Sequence, residues 1–377
     1  MSRLYPDIDP DGLLEYSVVF TDRSLNHMSQ AFQAVMRDIS STLKQVYAAH
    51  NVVVVPGGGS FAMEAVARQF AGSQRCLVIR NGWFSYRWSQ IFAMGKIPAK
   101  ETVLQARPLS DAPDAPWQPA PIDQVVAAIH LEKPAVVFAP HVETASGMIL
   151  PDDYLQAVAN AVHEVGGLFV LDCVASGCVW VDMKEIGVDV LISAPQKGWS
   201  SSPCAGLVML SERAMARLEE TESSSFAADL KKWHQIMQAY ENGGHAYHAT
   251  MPTDGLARFL GMMHETLDFG LEKARDAQWR LGQSVRALMR DNGFASVADE
   301  GFAAPGVVVS YTERDDIHKG SVFIAQGLQT AAGVPLQCDE PASYKSFRVG
   351  LFGLDKLGNV ERTRDLLAEA LEKIRSS

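Results

Sequence analysis

Short uninterrupted apolar runs alternate along this chain with stretches whose apolar residues recur at helical spacing. Val52-Val53-Val54-Val55, Leu77-Val78-Ile79, Val136-Val137-Phe138-Ala139, Leu168-Phe169-Val170-Leu171 and Val190-Leu191-Ile192 have strand length and no polar interior. That is the pattern of strands covered on both faces. From Ser29 to Ala48, Phe32, Val35, Met36, Ile39, Leu43, Val46 and Tyr47 mark an amphipathic helix. A small-residue helix starts at Ser60, and residues 122–131 and 152–165 predict two more. The strand–helix–strand order over residues 50–210 implies an α/β domain with a mostly parallel sheet. Pro203 to Leu210 gives a further strand, and residues 221–242 are polar and helical behind a Ser run.

Beyond them, Leu256, Phe259, Met262, Met263 and Leu267 predict one long helix from Asp254 to Met289. It bridges to a smaller α+β domain, with strands at Gly306–Tyr311 and Ser346–Gly350 and helices after 320 and 358. The expected division is residues 1–253 and 254–377. Residues 1–25 and 107–121, rich in Pro, Asp and Gly or Ala, are expected to be irregular.

Several apolar runs end in chemistry. One leads into Asp172 and another, through Ser193-Ala194-Pro195, into Gln196-Lys197. Strands of a parallel sheet hold ligands at their carboxyl edge. An acid and an amine there suit pyridoxal phosphate: the amine condenses with the aldehyde and the carboxylate keeps the pyridine nitrogen protonated. Taken alone, the two residues better describe a surface lysine and an ordinary strand-end acid; their surroundings make the case. The first run enters Pro56-Gly57-Gly58-Gly59-Ser60, a loop that lets backbone N–H groups close on an anion at a helix amino-terminus. A dinucleotide site expects an acid after the next strand, where Arg80 and Asn81 stand instead. A single phosphate fits better, with a structural turn as the alternative.

Asn81-Gly82-Trp83-Phe84-Ser85-Tyr86 comes after a strand end and offers a ring to stack on a flat ligand, unless its aromatics are core. His141-Val142-Glu143-Thr144 and the loop Gly243 to Pro252 carry further hydrogen-bonding side chains. Arg348, a lone cation in an apolar run, is either a salt-bridged structural residue or a bidentate grip on a carboxylate.

Composition narrows the partners. The 377 residues are 47% hydrophobic and 20% charged, with a formal charge of −11, which disfavours nucleic-acid and anionic-membrane partners. Cys76, Cys173, Cys178, Cys204 and Cys338 form no CxxC pair and read as reduced thiols, not a disulfide framework or metal site. The start lacks the apolar core of a signal peptide, and no apolar run is long enough to span a bilayer. A cytoplasmic location is the expectation.

In this order the pieces resemble the class V aminotransferases, fold type I pyridoxal-phosphate enzymes, in the alanine–glyoxylate and serine–pyruvate branch. The likeness runs from about Leu25 to the C-terminus. It rests on Asp172-Cys173-Val174-Ala175-Ser176, Ser193 to Lys197, Tyr247-His248-Ala249-Thr250 with Pro252, and Phe347-Arg348-Val349-Gly350-Leu351. The resemblance implies a large domain whose central sheet carries helices on both faces, and a small C-terminal α+β domain. It makes Lys197 the Schiff-base lysine and proton shuttle, pairs Asp172 with the pyridine nitrogen and packs Val174 under the ring. Gly58, Gly59, Ser60 and Gln196 fall at the phosphate, Phe84 at the stacking position and Thr144 near the ring oxygen. Tyr247 and Thr250 reach the phosphate of a neighbouring subunit, implying a homodimer, and Arg348 takes the substrate carboxylate.

The implied reaction moves an amino group from a small L-amino acid to a 2-oxo acid such as glyoxylate or pyruvate, with no metal. The family's N-terminal Pro-Gly-Pro loop is replaced by Tyr5 to Pro10, which leaves the substrate pair open. The alternative is a cysteine desulfurase or β-lyase of the same fold. Those enzymes place His where Gln196 and Phe84 stand, and Cys338 lies only ten residues before Arg348.

Overall fold

In the computed structural model, which describes residues 13–376, the apolar runs become neighbours in one seven-stranded sheet. In chain order the strands are β1 (Asn51–Pro56), β2 (Arg75–Arg80), β3 (Lys100–Gln105), β4 (Val136–Pro140), β5 (Leu168–Asp172), β6 (Val190–Ser193) and β7 (Ala205–Leu210). They lie in the order β1-β7-β6-β5-β4-β2-β3. Only β7 runs against the rest, antiparallel to both β6 and β1. The other strands therefore end along one common edge. β3, Lys100-Glu101-Thr102-Val103-Leu104-Gln105, has no apolar run to announce it. It closes the sheet at one side, where half-exposed and charged residues are tolerated.

Helix α1 (Gln30–Tyr47) precedes β1, and α2 (Gly59–Phe70), α3 (Trp83–Gly95), α4 (Ile122–Glu132) and α5 (Asp152–Glu164) fill the connections from β1 to β5. Phe32, Met36, Ile39 and Leu43 of α1 are fully buried, and Ser29 caps the helix by accepting from the Phe32 N–H at 3.1 Å. The sequence marks α3 only as an aromatic-rich segment. Its residues Phe84, Trp88 and Phe92 recur every four positions, so they share one face. Trp88 and Phe92 pack on Phe138 of β4, with ring centroids 4.4 and 5.3 Å away. That anchor sets where Phe84, at the helix start, meets the sheet edge. Phe138→Ala is expected to cost about 3–5 kcal/mol of unfolding free energy, read from urea denaturation, because the Trp88 and Phe92 rings then face a cavity.

The expected bridging helix is two helices, α7 (Thr253–Phe269) and α8 (Leu271–Asp291), preceded by α6 (Leu230–Glu241). Gly270, with φ 97°, breaks the run in a backbone region where side chains are strained. Leu256, Phe259 and Met263 pack into the large core, whereas Ala274, Leu281 and Val285 join a second cluster with Phe347 and Leu371. The polar segment before α6 is helical only from Leu230, where Asp229 caps the first turn. Strands β8 (Val307–Tyr311), β9 (Ala331–Ala332) and β10 (Ser346–Gly350) form an antiparallel sheet with β10 in the middle, and α9 (Val360–Ser376) comes after it. A third apolar cluster joins Val307 and Val309 of this sheet to Val142, Ala145 and Met148, holding β10 beside the strand-end loops. Tyr5 to Pro10 lie outside the described residues.

Candidate active site

Asp172 ends β5 and lies opposite Ile192 of the adjoining parallel strand β6, whose chain continues through a turn to Lys197. The Asp172 Oδ1 accepts from the Val174 N–H at 2.9 Å. Burial pushes its carboxyl up to about 6; the Val174 hydrogen bond opposes the shift, Glu143 adds to it and Arg87 again opposes it. A carboxylate held this way lacks a full counter-charge. Burial, and secondarily Arg348, lowers the proton affinity of the Lys197 amine. Its Nζ lies 4.6 Å from the centroid of the Phe352 ring. The turn beneath it is tight, since a Cβ on Gly198 would collide with the Gly177 carbonyl. The lysine turn and the loop after Asp172 are thereby locked together.

At the next strand end, Gly57 adopts φ 120° and Gly58 precedes α2 without offering it a capping side chain. The first N–H groups of α2 are left for a ligand. A Cβ on Gly59 would stand 2.7 Å from Val174 Cγ2, so a larger residue would push the helix start away from the Asp172 loop. Ser60 Oγ accepts from Arg87 Nη1 at 2.8 Å. Gln196 Oε1 is buried without a hydrogen-bond partner and faces the same region.

Two guanidinium groups lie near the Phe84 ring, Arg87 Cζ at 5.2 Å and Arg348 Cζ at 5.5 Å from its centroid. Arg348 stands on β10, where its Nε donates to the Ala332 carbonyl at 2.8 Å; burial lowers its pKa, and Glu143 opposes the shift. It forms no salt bridge among the described residues, so the structural ion pair considered for it is not made. Fully buried Glu143 accepts from the Phe84 and Ser85 N–H groups, the Ser85 hydroxyl and the Ala145 N–H, at 2.7–3.2 Å. It fastens the start of α3 to the loop carrying Thr144.

These side chains line one cavity of about 410 Å³, which gathers Gly59, Ser60, Phe84, Thr144, Asp172, Val174, Gln196, Lys197 and Arg348. Three expected site residues are not in its wall. Gly58 is the residue just before the first turn of α2. Tyr247 and Thr250 pair with each other, Oη to Oγ1 at 3.1 Å, and Tyr247 is 54% exposed. The sequence reading missed Arg87, Met63 and Phe352 in the wall and Glu143 behind it. Arg87 follows Phe84 by three residues on α3, a relation that shows only once the segment is known to be helical. Cys338 is buried outside the wall, donating to the Arg80 and Leu336 carbonyls, and burial pushes its thiol up to about 12. Such a thiol is a poor nucleophile, which disfavours a desulfurase.

The sequence profile of the family described as aminotransferase class-V matches residues 13–330. The chain belongs to the class V aminotransferases. It is 24% identical over 361 residues to alanine–glyoxylate aminotransferase of Oryctolagus cuniculus, covering 92% of this chain and 87% of that one. With 2-aminoethylphosphonate–pyruvate transaminase 2 of Paraburkholderia xenovorans it shares 28% identity over 341 residues, covering 88% and 86%. The crystal structure of alanine–glyoxylate aminotransferase from Nostoc sp. superposes with a TM-score of 0.77 at 22% identity, covering 92% of this chain and 88% of that one. The fold is that of fold type I pyridoxal-phosphate transferases, and the chain is an enzyme of the pyridoxal-phosphate aminotransferase type. No described helix is long and apolar enough to cross a membrane.

Proposed function

We propose that this aminotransferase uses pyridoxal 5'-phosphate held through Lys197, and moves an amino group from a small L-amino acid to a 2-oxo acid such as glyoxylate or pyruvate by a ping-pong reaction. The observation that carries the reading is the convergence of Lys197, Asp172 and the uncapped start of α2 on one cavity. The residues fit the cofactor. Asp172 lacks a full counter-charge, Gln196 Oε1 lacks a partner, and Gly59 leaves room where α2 meets Val174. Gly58, Gly59, Ser60 and Gln196 would hold its phosphate, Phe84 and Val174 its two faces, and Thr144 and Asp172 its polar edge.

Bound there, the cofactor supplies an aldehyde for amino groups and a ring that takes up the electron pair released at the substrate Cα. Lys197 would hold the aldehyde between turnovers; once displaced, its amine would move the proton to and from Cα, a role that its lowered proton affinity favours. Asp172 holds the proton on the ring nitrogen. Arg348 orients the substrate carboxylate. Arg348→Ala is expected to raise KM for donor and acceptor by roughly 10- to 100-fold. Arg348→Lys should recover little of this, since an ammonium lacks the bidentate fork. Steady-state kinetics with both substrates checks both.

The exposure of Tyr247 and Thr250, outside their own cavity, supports a homodimer in which they reach the neighbour's phosphate. A cytoplasmic location completes the reading. Residues 1–253 would form the cofactor-binding unit and 254–377 the bridge and small unit, supported by the separate apolar clusters on either side of Gly270.

The test is a visible absorbance spectrum of purified protein supplied with pyridoxal phosphate. A panel of amino acids that includes 2-aminoethylphosphonate is then added one member at a time. A band bleached by one donor and restored by a 2-oxo acid supports the reading and names the donor. A protein that takes up no pyridoxal phosphate sinks it.

A further inference from the structure

We propose that Arg87 is a phosphate-binding residue of this site, so that α3 supplies a guanidinium to the cofactor phosphate alongside the amino-terminus of α2. The inference rests on the pyridoxal-phosphate reading above. Arg87 lies three residues after Phe84 on α3, nearly one helical turn, and its side chain lines the cavity. Two contacts fix its head group: Nη1 donates to Ser60 Oγ at 2.8 Å, and Cζ lies 5.2 Å from the Phe84 ring centroid. The guanidinium is therefore at the first turn of α2, beside the ring expected to cover the cofactor. No carboxylate among the described residues forms a salt bridge with it. A half-exposed cation with donors to spare, next to uncapped helix N–H groups, suits a dianion better than a neutral ligand.

The two arginines near Phe84 divide between two anions. Arg348 stands on β10 and acts electrostatically on the Lys197 amine, where substrate chemistry takes place. Arg87 is tethered to Ser60 in the first turn of α2, and its charge also reaches Asp172. A phosphate and a substrate carboxylate thus each have a guanidinium. In this arrangement Ser60 also orients Arg87, a role beyond a direct hydroxyl contact.

The rival role for Arg87 is to prop the Phe84 ring, and a pair of ligands separates the two. Pyridoxal 5'-phosphate and pyridoxal share the ring and differ in the phosphate. Their binding to apoenzyme is measured by quenching of tryptophan fluorescence for the wild type, Arg87→Gln and Arg87→Lys, with far-UV circular dichroism to verify folding. Arg87→Gln is expected to weaken binding of the phosphorylated compound by roughly 10- to 100-fold and to leave pyridoxal binding unchanged. Arg87→Lys should recover part of the loss, and inorganic phosphate should compete less well in Arg87→Gln than in wild type. Parallel weakening of both compounds assigns Arg87 to the ring and overturns the proposal, as does unchanged binding of both. A wild-type apoenzyme that binds neither compound overturns the cofactor reading itself, an outcome distinct from a wild type that binds both.

Discussion

Lys197→Ala is expected to lower transamination turnover by roughly 10²- to 10⁴-fold while leaving urea unfolding within about 1 kcal/mol of wild type. The activity loss is large because no other group on the cavity wall can do this work. Arg87 and Arg348 are cations without a readily lost proton, Ser60, Thr144 and Gln196 are neutral, and Asp172 is engaged by the Val174 N–H and reserved for the ring nitrogen. The stability loss is small because the Lys197 side chain is only partly buried, and its Nζ rests against the edge of the site on Phe352. Truncation removes the amine and leaves space where it stood. A small primary amine in the buffer should therefore restore part of the proton-transfer rate in the variant and none in wild type. Borohydride reduction in the presence of pyridoxal phosphate should fix the cofactor to the peptide containing Lys197 and find no attachment in the variant. An alanine variant that turned over like wild type would refute the proposed mechanism.

Lys197 and Asp172 could be picked out of the sequence because a fully buried parallel strand leaves no polar residue inside itself. Leu168-Phe169-Val170-Leu171 and Val190-Leu191-Ile192 end abruptly, and the polar residues after them must stand at the sheet edge. The glycine loop after β1 announced itself in the same way. The start of α3 did not. Trp83-Phe84-Ser85-Tyr86-Arg87-Trp88 mixes inward and outward aromatics, and its helical stripe appears only once Trp88 and Phe92 are seen on Phe138. Arg87 was hidden for that reason. Glu143 was hidden for another: its four hydrogen bonds go to groups both local and about sixty residues away, so nothing near it in sequence shows that it is satisfied. The break at Gly270 was passed over because apolar residues keep helical spacing on both sides of it. A single glycine inside a periodic run is tolerated too often to mark a boundary.

Asp172→Asn should separate catalysis from apoenzyme stability and move them in opposite directions. Turnover is expected to fall by roughly 10²- to 10³-fold, because asparagine cannot offset a protonated ring nitrogen and the electron pair released at Cα loses its sink. Without cofactor, the same change should stabilise the protein at pH 8. The folded carboxyl titrates at about 6, above the 3.8 of an unperturbed aspartate. Between those values the folded state holds a proton that the unfolded state has released, so stability falls as pH rises through this window, and above it the full loss of about 3 kcal/mol is present. Asparagine has nothing to ionise and keeps an oxygen for the Val174 N–H, so the variant's unfolding free energy should gain on that of wild type across this window. Pyridoxal phosphate should then stabilise wild type more than the variant at pH 8, since only wild type offers a buried charge for the ring nitrogen to neutralise. Urea titrations of both proteins at pH 4.5 and pH 8, with and without cofactor, give all the required values. Parallel pH profiles for the two apoproteins would mean that burial does not hold Asp172 in want of a cation, and the strongest physical reason for placing a pyridine nitrogen beside it would be gone.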